Sequence, residues 1–95
     1  VNAQEAALAV LLDAADPDLV VAVQTLVLAG TARWVWDPEH DGVVGLCRHG
    51  DYRHGKPVAL VVVYVEDEDF EIGSEGVEAL AALDRIYNDD PPTRL

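Results

Sequence analysis

The chain has 95 residues, 51% hydrophobic and 25% charged, with 18 Asp plus Glu against 6 Lys plus Arg and a formal net charge of −12. That length supports one hydrophobic core and not two, and the apolar fraction is that of a packed globule rather than a disordered segment. The acidity argues against nucleic acid and anionic membrane as direct partners, because both are bound by surfaces that replace counterions with Lys and Arg.

Residues 2–15 are rich in Ala and Leu, and Leu8, Leu11, Leu12 and Ala15 fall at helical spacing, which predicts a first helix with that stripe buried. Its other side, Ala3, Ala7, Val10 and Ala14, is small enough for a second element to approach closely. Asp16-Pro17 is a helix start: the carboxylate can accept from first-turn amides, and proline is tolerated where its N–H is not needed. The second helix runs to about Ala29, with Leu19, Val20, Val23, Leu26 and Val27 on one face and Val21 and Leu28 on the other. Gly30 supplies the left-handed stop.

From Arg33 the period changes to two. Trp34 and Trp36 share one side of a strand that ends at Asp37, and they read as core residues packed on a helix. Asp37-Pro38-Glu39-His40-Asp41-Gly42 carries turn chemistry, so Val43 to Arg48 is the returning strand, with Gly45 marking a bulge or a close approach. Residues 49–57 are polar, contain two glycines and read as a surface loop. Residues 58–65 are apolar on both alternating faces, as in a central strand covered on both sides. The run Glu66-Asp67-Glu68-Asp69 ends that strand because adjacent like charges do not enter a core. Phe70 and Ile72 add a short edge strand, and Ser74 is a candidate N-cap for a last helix with Leu80, Leu83 and Tyr87 as its stripe, flanked by Val77 and Ile86 and closed by Asn88.

The expected fold is therefore α+β, a small antiparallel three- to four-stranded sheet packed against helices in the order ααβββα. It occupies a single domain over residues 1–90, with a frayed tail at 91–95. The lone Cys47 forms no internal disulfide, and the opening Val-Asn-Ala-Gln-Glu has neither a basic leader nor a cleavage motif, so a cytoplasmic location is expected. The longest apolar runs, 19–23, 26–30 and 58–65, are far shorter than the roughly 20 residues that span a bilayer.

The densest set of chemical side chains is His40, Asp41, Cys47, His49, Asp51 and His54. Cys47-x-His49 places two zinc-type donors on one side of a strand if pairing continues that far, but no second ligand pair completes a known spacing. No nucleophile elbow, phosphate-binding loop or dinucleotide fingerprint is present. The reading is thus of a protein without catalytic residues, bound metal or cofactor, with an enzyme or metal protein built on the His49/His54 loop as an alternative.

Charge is unevenly placed. Residues 1–29 carry −4, residues 30–56 balance, and residues 57–95 carry ten acids against Arg85 and Arg94. The expected function is a non-enzymatic protein-interaction module, of the regulator, inhibitor or immunity type, that offers Glu66, Asp67, Glu68, Asp69 and Glu71 to a basic protein partner. A second alternative is a mimic of the DNA phosphate backbone that occupies a DNA-binding protein's groove. Because the apolar surface exceeds what three helices and a small sheet can cover, self-association as a dimer is also expected, through Val21 and Leu28 or the second sheet face.

Overall fold

The computed structural model describes residues 2–88, apart from the side chains of 51, 84 and 86–88; the expected tail at 91–95 lies outside the described residues. Three helices and four strands follow in the order α1 (Ala3–Ala14), α2 (Pro17–Leu28), β1 (Ala32–Trp36), β2 (Val43–Arg53), β3 (Lys56–Tyr64), β4 (Asp69–Ile72) and α3 (Ser74–Asn88). The strands form one antiparallel meander, β1-β2-β3-β4, so the α+β class holds and the short edge strand at Phe70 and Ile72 is its fourth member. No helix among the described residues is long and apolar enough to cross a membrane.

Local chemistry accounts for the helix ends. Asn2 accepts from the Glu5 amide at 2.8 Å, and Asp16 accepts from the Leu19 amide at 2.9 Å with Pro17 in the first turn. At the end of α2, Gly30 has φ +76°. Its amide donates to Val27 and the next, on Thr31, donates to Leu26, the paired bonds of a Schellman stop.

Cross-strand register sorts the sheet into two faces. Trp34, Leu46, Val61 and Ile72 lie in one row and Trp36, Val44, Val63 and Phe70 in the next, all toward the helices. The core joins Ala3, Ala7, Val10 and Leu11 of α1 and Val20, Val23 and Leu26 of α2 to Val44, Leu46, Leu60, Val61 and Val63. Helix α1 packs against both edge strands and so crosses the sheet.

This corrects the stripe expected for α1. The small-residue side, Ala3, Ala7 and Val10, is buried with Leu11, whereas Leu12 is 67% exposed. Small side chains let the helix axis come close to the sheet, and that close packing outweighs the burial of a larger leucine face. The two tryptophans also part: Trp34 packs against the core, but Trp36, near the strand end, is 43% exposed.

The expected loop at 49–57 is strand. β2 and β3 continue to Tyr52↔Pro57 and Arg53↔Lys56, leaving only His54 and Gly55 as the turn. Both have positive φ, 55° and 77°, as a type I′ hairpin requires, and that turn matches the right-handed twist of the two strands. Polarity and two glycines suggest a loop here, but the pairs at Tyr52↔Pro57 and Arg53↔Lys56 are made regardless of side-chain polarity.

Leu46 pairs with Val61 while Cys47 pairs with Ala59, so Leu60 is an extra residue on β3. This bulge leaves the Leu60 side chain fully buried and its carbonyl free to accept from the Gly73 amide at 2.9 Å. Gly73, not Ser74, precedes the helix and accepts from the Val77 amide; the Ser74 hydroxyl instead donates to Glu75. Gly76 is buried against the Leu60 carbonyl, so α3 meets the sheet backbone to backbone. Leu80 and Leu83 are half-buried against the core, and Val77, expected beside them, is exposed.

Candidate functional site

The histidine and cysteine region does not converge. Among the described residues no three His, Cys, Asp or Glu side chains gather where a metal ion could sit. β2 runs through both Cys47 and His49, and the His49 amide donates to the Thr31 carbonyl at 2.9 Å, so the strand pairing reaches that far; yet Cys47 is buried, His49 is exposed, and no third donor joins them among the described residues. Cys47 is 7% exposed, its thiol directed to the Gly45 carbonyl at 3.8 Å, and burial pushes its pKa up, whereas a nucleophilic thiol is made by the opposite shift. His49 and His54 are exposed. His40 lies 3.1 Å from the Asp37 carboxylate, which also accepts from the Glu39 amide at 2.8 Å. That amide bond, chiefly, holds the Asp37 pKa low and fixes the β1–β2 turn.

Glu66, Asp67 and Glu68 of the acidic run lie in the turn between β3 and β4, and Asp69 opens β4. Glu66, Asp67, Glu68 and Asp69 are all exposed, and Glu68 takes a left-handed φ of 52°. The Asp69 side chain accepts from the Phe70 amide at 2.8 Å. Glu71 points to the sheet face away from the helices and accepts from the Tyr64 hydroxyl at 3.2 Å. The phenol's pKa is raised, first by burial and then by this carboxylate.

A concavity lies elsewhere, between α2, β4 and α3. It encloses about 570 Å3 and is lined by Leu19, Val21, Ala22, Phe70, Ile72, Leu80 and Leu83, with Thr25 and the carboxylates Asp16 and Asp18. Among the described residues no basic side chain lines it. Helix α2 supplies one wall because it is apolar nearly all round: Val20, Val23 and Leu26 face the sheet, leaving Val21, 60% exposed, to the outside. β4 supplies the floor through Phe70 and Ile72, which begin where the acidic turn ends. The Gly76 contact brings α3 down beside them as the second wall.

Of the side chains expected at an interface, the groove holds Val21. Leu28, 87% exposed, sits instead beside a small pocket with Gln4, Leu8, Gln24 and Trp34. Sequence reasoning missed Leu19, Phe70, Ile72, Leu80 and Leu83 as a shared surface. The available signal was that α2 has more apolar faces than one sheet contact uses.

A second concavity of about 330 Å3 occupies the sheet face opposite the helices. Its floor is Val35, Val43, Gly45, Cys47, Ala59 and Val62; Pro38 and Pro57 stand at its edge beside the strand end at Trp36, and the charged residues are Asp37, Glu39 and Lys56. Lys56 and Glu39, 17 positions apart, form an ion pair there, tying the β2–β3 hairpin to the β1–β2 turn. Arg53 on the same hairpin instead reaches Glu75 of α3 at 2.7 Å. The Glu75 pKa is lowered by its own backbone amide first and by this guanidinium and the Ser74 hydroxyl after it.

Compared with protein-family models, with curated proteins and with solved structures, the chain matches none of them.

Proposed function

We propose that this protein is a non-enzymatic interaction module that seats a basic, amphipathic helix of a partner protein in the groove between α2, β4 and α3. The observation that carries this reading is the groove's composition: a continuous apolar lining whose charged members, Asp16 and Asp18, are both acids. An amphipathic helix buries side chains at i, i+3, i+4 and i+7 in such a groove, and its flanking Lys or Arg meet the carboxylates at the rim. The net charge of −12 and the acidic turn entering β4 add long-range attraction for a cation, which raises the association rate.

The test uses a synthetic helical peptide with Leu on one face and Lys on the other, titrated calorimetrically. Binding should weaken as salt rises. Val21→Lys should weaken it at least tenfold, about 1.4 kcal/mol, by placing a cation on the apolar wall. Binding insensitive to Val21→Lys and to Asp18→Lys would exclude the groove. If Asp67→Asn with Asp69→Asn abolished binding while Val21→Lys did not, the acidic turn would be the contact and the phosphate-mimic reading would replace this one.

Self-association accompanies this reading, supported by Leu28 at 87% exposure. Sedimentation of a monomer at tens of micromolar would remove it.

A further inference from the structure

β2 and β3 do not form one continuous ladder. Pairing runs from Val43↔Tyr64 to Cys47↔Ala59, breaks, and resumes only at Tyr52↔Pro57 and Arg53↔Lys56. Toward β1, β2 is held as far as the Ala32↔Arg48 pair and the bond from the His49 amide to the Thr31 carbonyl. The next residue, Gly50, has φ +83°, and a Cβ built on it would meet nothing within 4 Å. On the returning strand Pro57 has no amide to donate. Residues 50–58 are thus an arm joined to the sheet through a left-handed glycine on one strand and a proline on the other. A two-stranded ribbon is marginally stable by itself, so the arm depends on what ties it to the body.

Two ion pairs do so, Lys56 to Glu39 of the β1–β2 turn and Arg53 to Glu75 of α3. The Lys56 and Glu39 side chains are 63% and 56% exposed, so their attraction is weak and screened by salt. Lys56 and Pro57 of the arm line the bare-face cavity together with Pro38 and Glu39 of the turn. On its floor Gly45 and Cys47 are buried, although among the described residues no helical side chain lines the cavity.

From these features we infer that residues 50–58 are a strap over the bare sheet face, pivoting at Gly50 and latched by the Lys56–Glu39 pair, whose local opening uncovers the apolar floor at Gly45, Cys47 and Ala59. Opening breaks the two outer ladder pairs and the ion pairs but leaves the helix-facing core intact, because no residue of the arm belongs to that core. The strap goes beyond the groove reading and does not depend on it.

The experiment uses the full chain and reads the rate of Cys47 alkylation by iodoacetamide at fixed pH and ionic strength; Cys47 is the chain's single cysteine, so one site reports. In dilute urea, below the unfolding transition, the rate in the unaltered chain should stay nearly flat, since opening the strap exposes little surface. A rate that climbs with the slope of global unfolding would overturn the strap. Glu39→Lys and Lys56→Glu each replace attraction by repulsion and should each speed alkylation about two- to fivefold, whereas the two together restore the pair and the original rate. The single substitutions shift net charge in opposite directions, so a field acting only on the thiol would speed one and slow the other. That result, or an unchanged rate in both, would overturn the latch. If a variant did not fold, the urea series on the unaltered chain would decide alone. Val21→Lys, which disables the groove, should leave the alkylation rate unchanged, so failure here and failure of the groove reading are separable.

Discussion

Replacing Gly76 with alanine sets two effects of opposite sign against each other. In an exposed helix the change stabilises by about 1 kcal/mol, because alanine loses less backbone freedom on folding. Here the new Cβ would lie 2.0 Å from the Leu60 carbonyl oxygen, 2.8 Å from its carbon and 3.0 Å from Ile72 Cγ2. A carbon meets a carbonyl oxygen no closer than about 3.3 Å, so α3 must withdraw from β3 by roughly 1 Å or more. Overpacking of this kind costs about 1–3 kcal/mol, and stretching the Gly73–Leu60 hydrogen bond adds about 0.5–1.5 kcal/mol. The expected net loss is about 0.5–3.5 kcal/mol, centred near 2, which for a domain of this size lowers Tm by on the order of 10 °C. Thermal unfolding followed by far-UV circular dichroism measures it. Gly45→Ala serves as the control: its Cβ meets only ordinary contacts, and it should change stability by less than about 0.5 kcal/mol. A Gly76→Ala variant melting at or above the unaltered protein would refute the backbone-to-backbone seating of α3, and with it the position of the groove's second wall.

Two further predictions concern charge. Asp37 and Glu75 have pKa values below the ordinary carboxylate range, so their stabilisation is fully present above about pH 4 and is lost as pH falls through the lowered folded values. In urea titrations from pH 6 downward, the unaltered protein should lose more stability than Asp37→Asn or Glu75→Gln; parallel curves would show that neither carboxylate is linked to folding. Self-repulsion at −12 should make the fold more stable as salt rises, and a Tm that stays flat from low salt to about 0.5 M would contradict this.

Local signals in the chain specified local structure well. Asp16-Pro17 and Gly30 marked the ends of α2, and Asp41-Gly42 marked the first reversal, with Gly42 at φ +75°. These features act through their own backbone dihedrals and nearest amides, so they can be read without knowing what packs on them. Leu12 was misassigned because hydrophobicity says which residues can be buried, while the distance at which α1 crosses the sheet decides which are. The β2–β3 hairpin was hidden for a related reason: His49, Gly50, Asp51 and His54 look like a loop, but pairing depends on a partner strand rather than on polarity.

The groove was less legible still. Val21 was visible as a residue outside the α2 core stripe, but Phe70, Ile72, Leu80 and Leu83 join it only because β4 lies at the sheet edge and α3 folds back through Gly73 and Gly76. No spacing within the chain encodes that meeting. The acidic turn was read correctly as exposed, and charge was its only signal.

The central claim, that a basic amphipathic helix enters the α2–β4–α3 groove, is tested most directly by mapping the site on the labelled protein. Backbone amide shifts recorded while the Leu/Lys peptide is added should move at residues 19–25, 70–72 and 80–83 and stay fixed on the bare sheet face. Shifts confined to residues 66–69, or spread evenly over every acidic position, would contradict it.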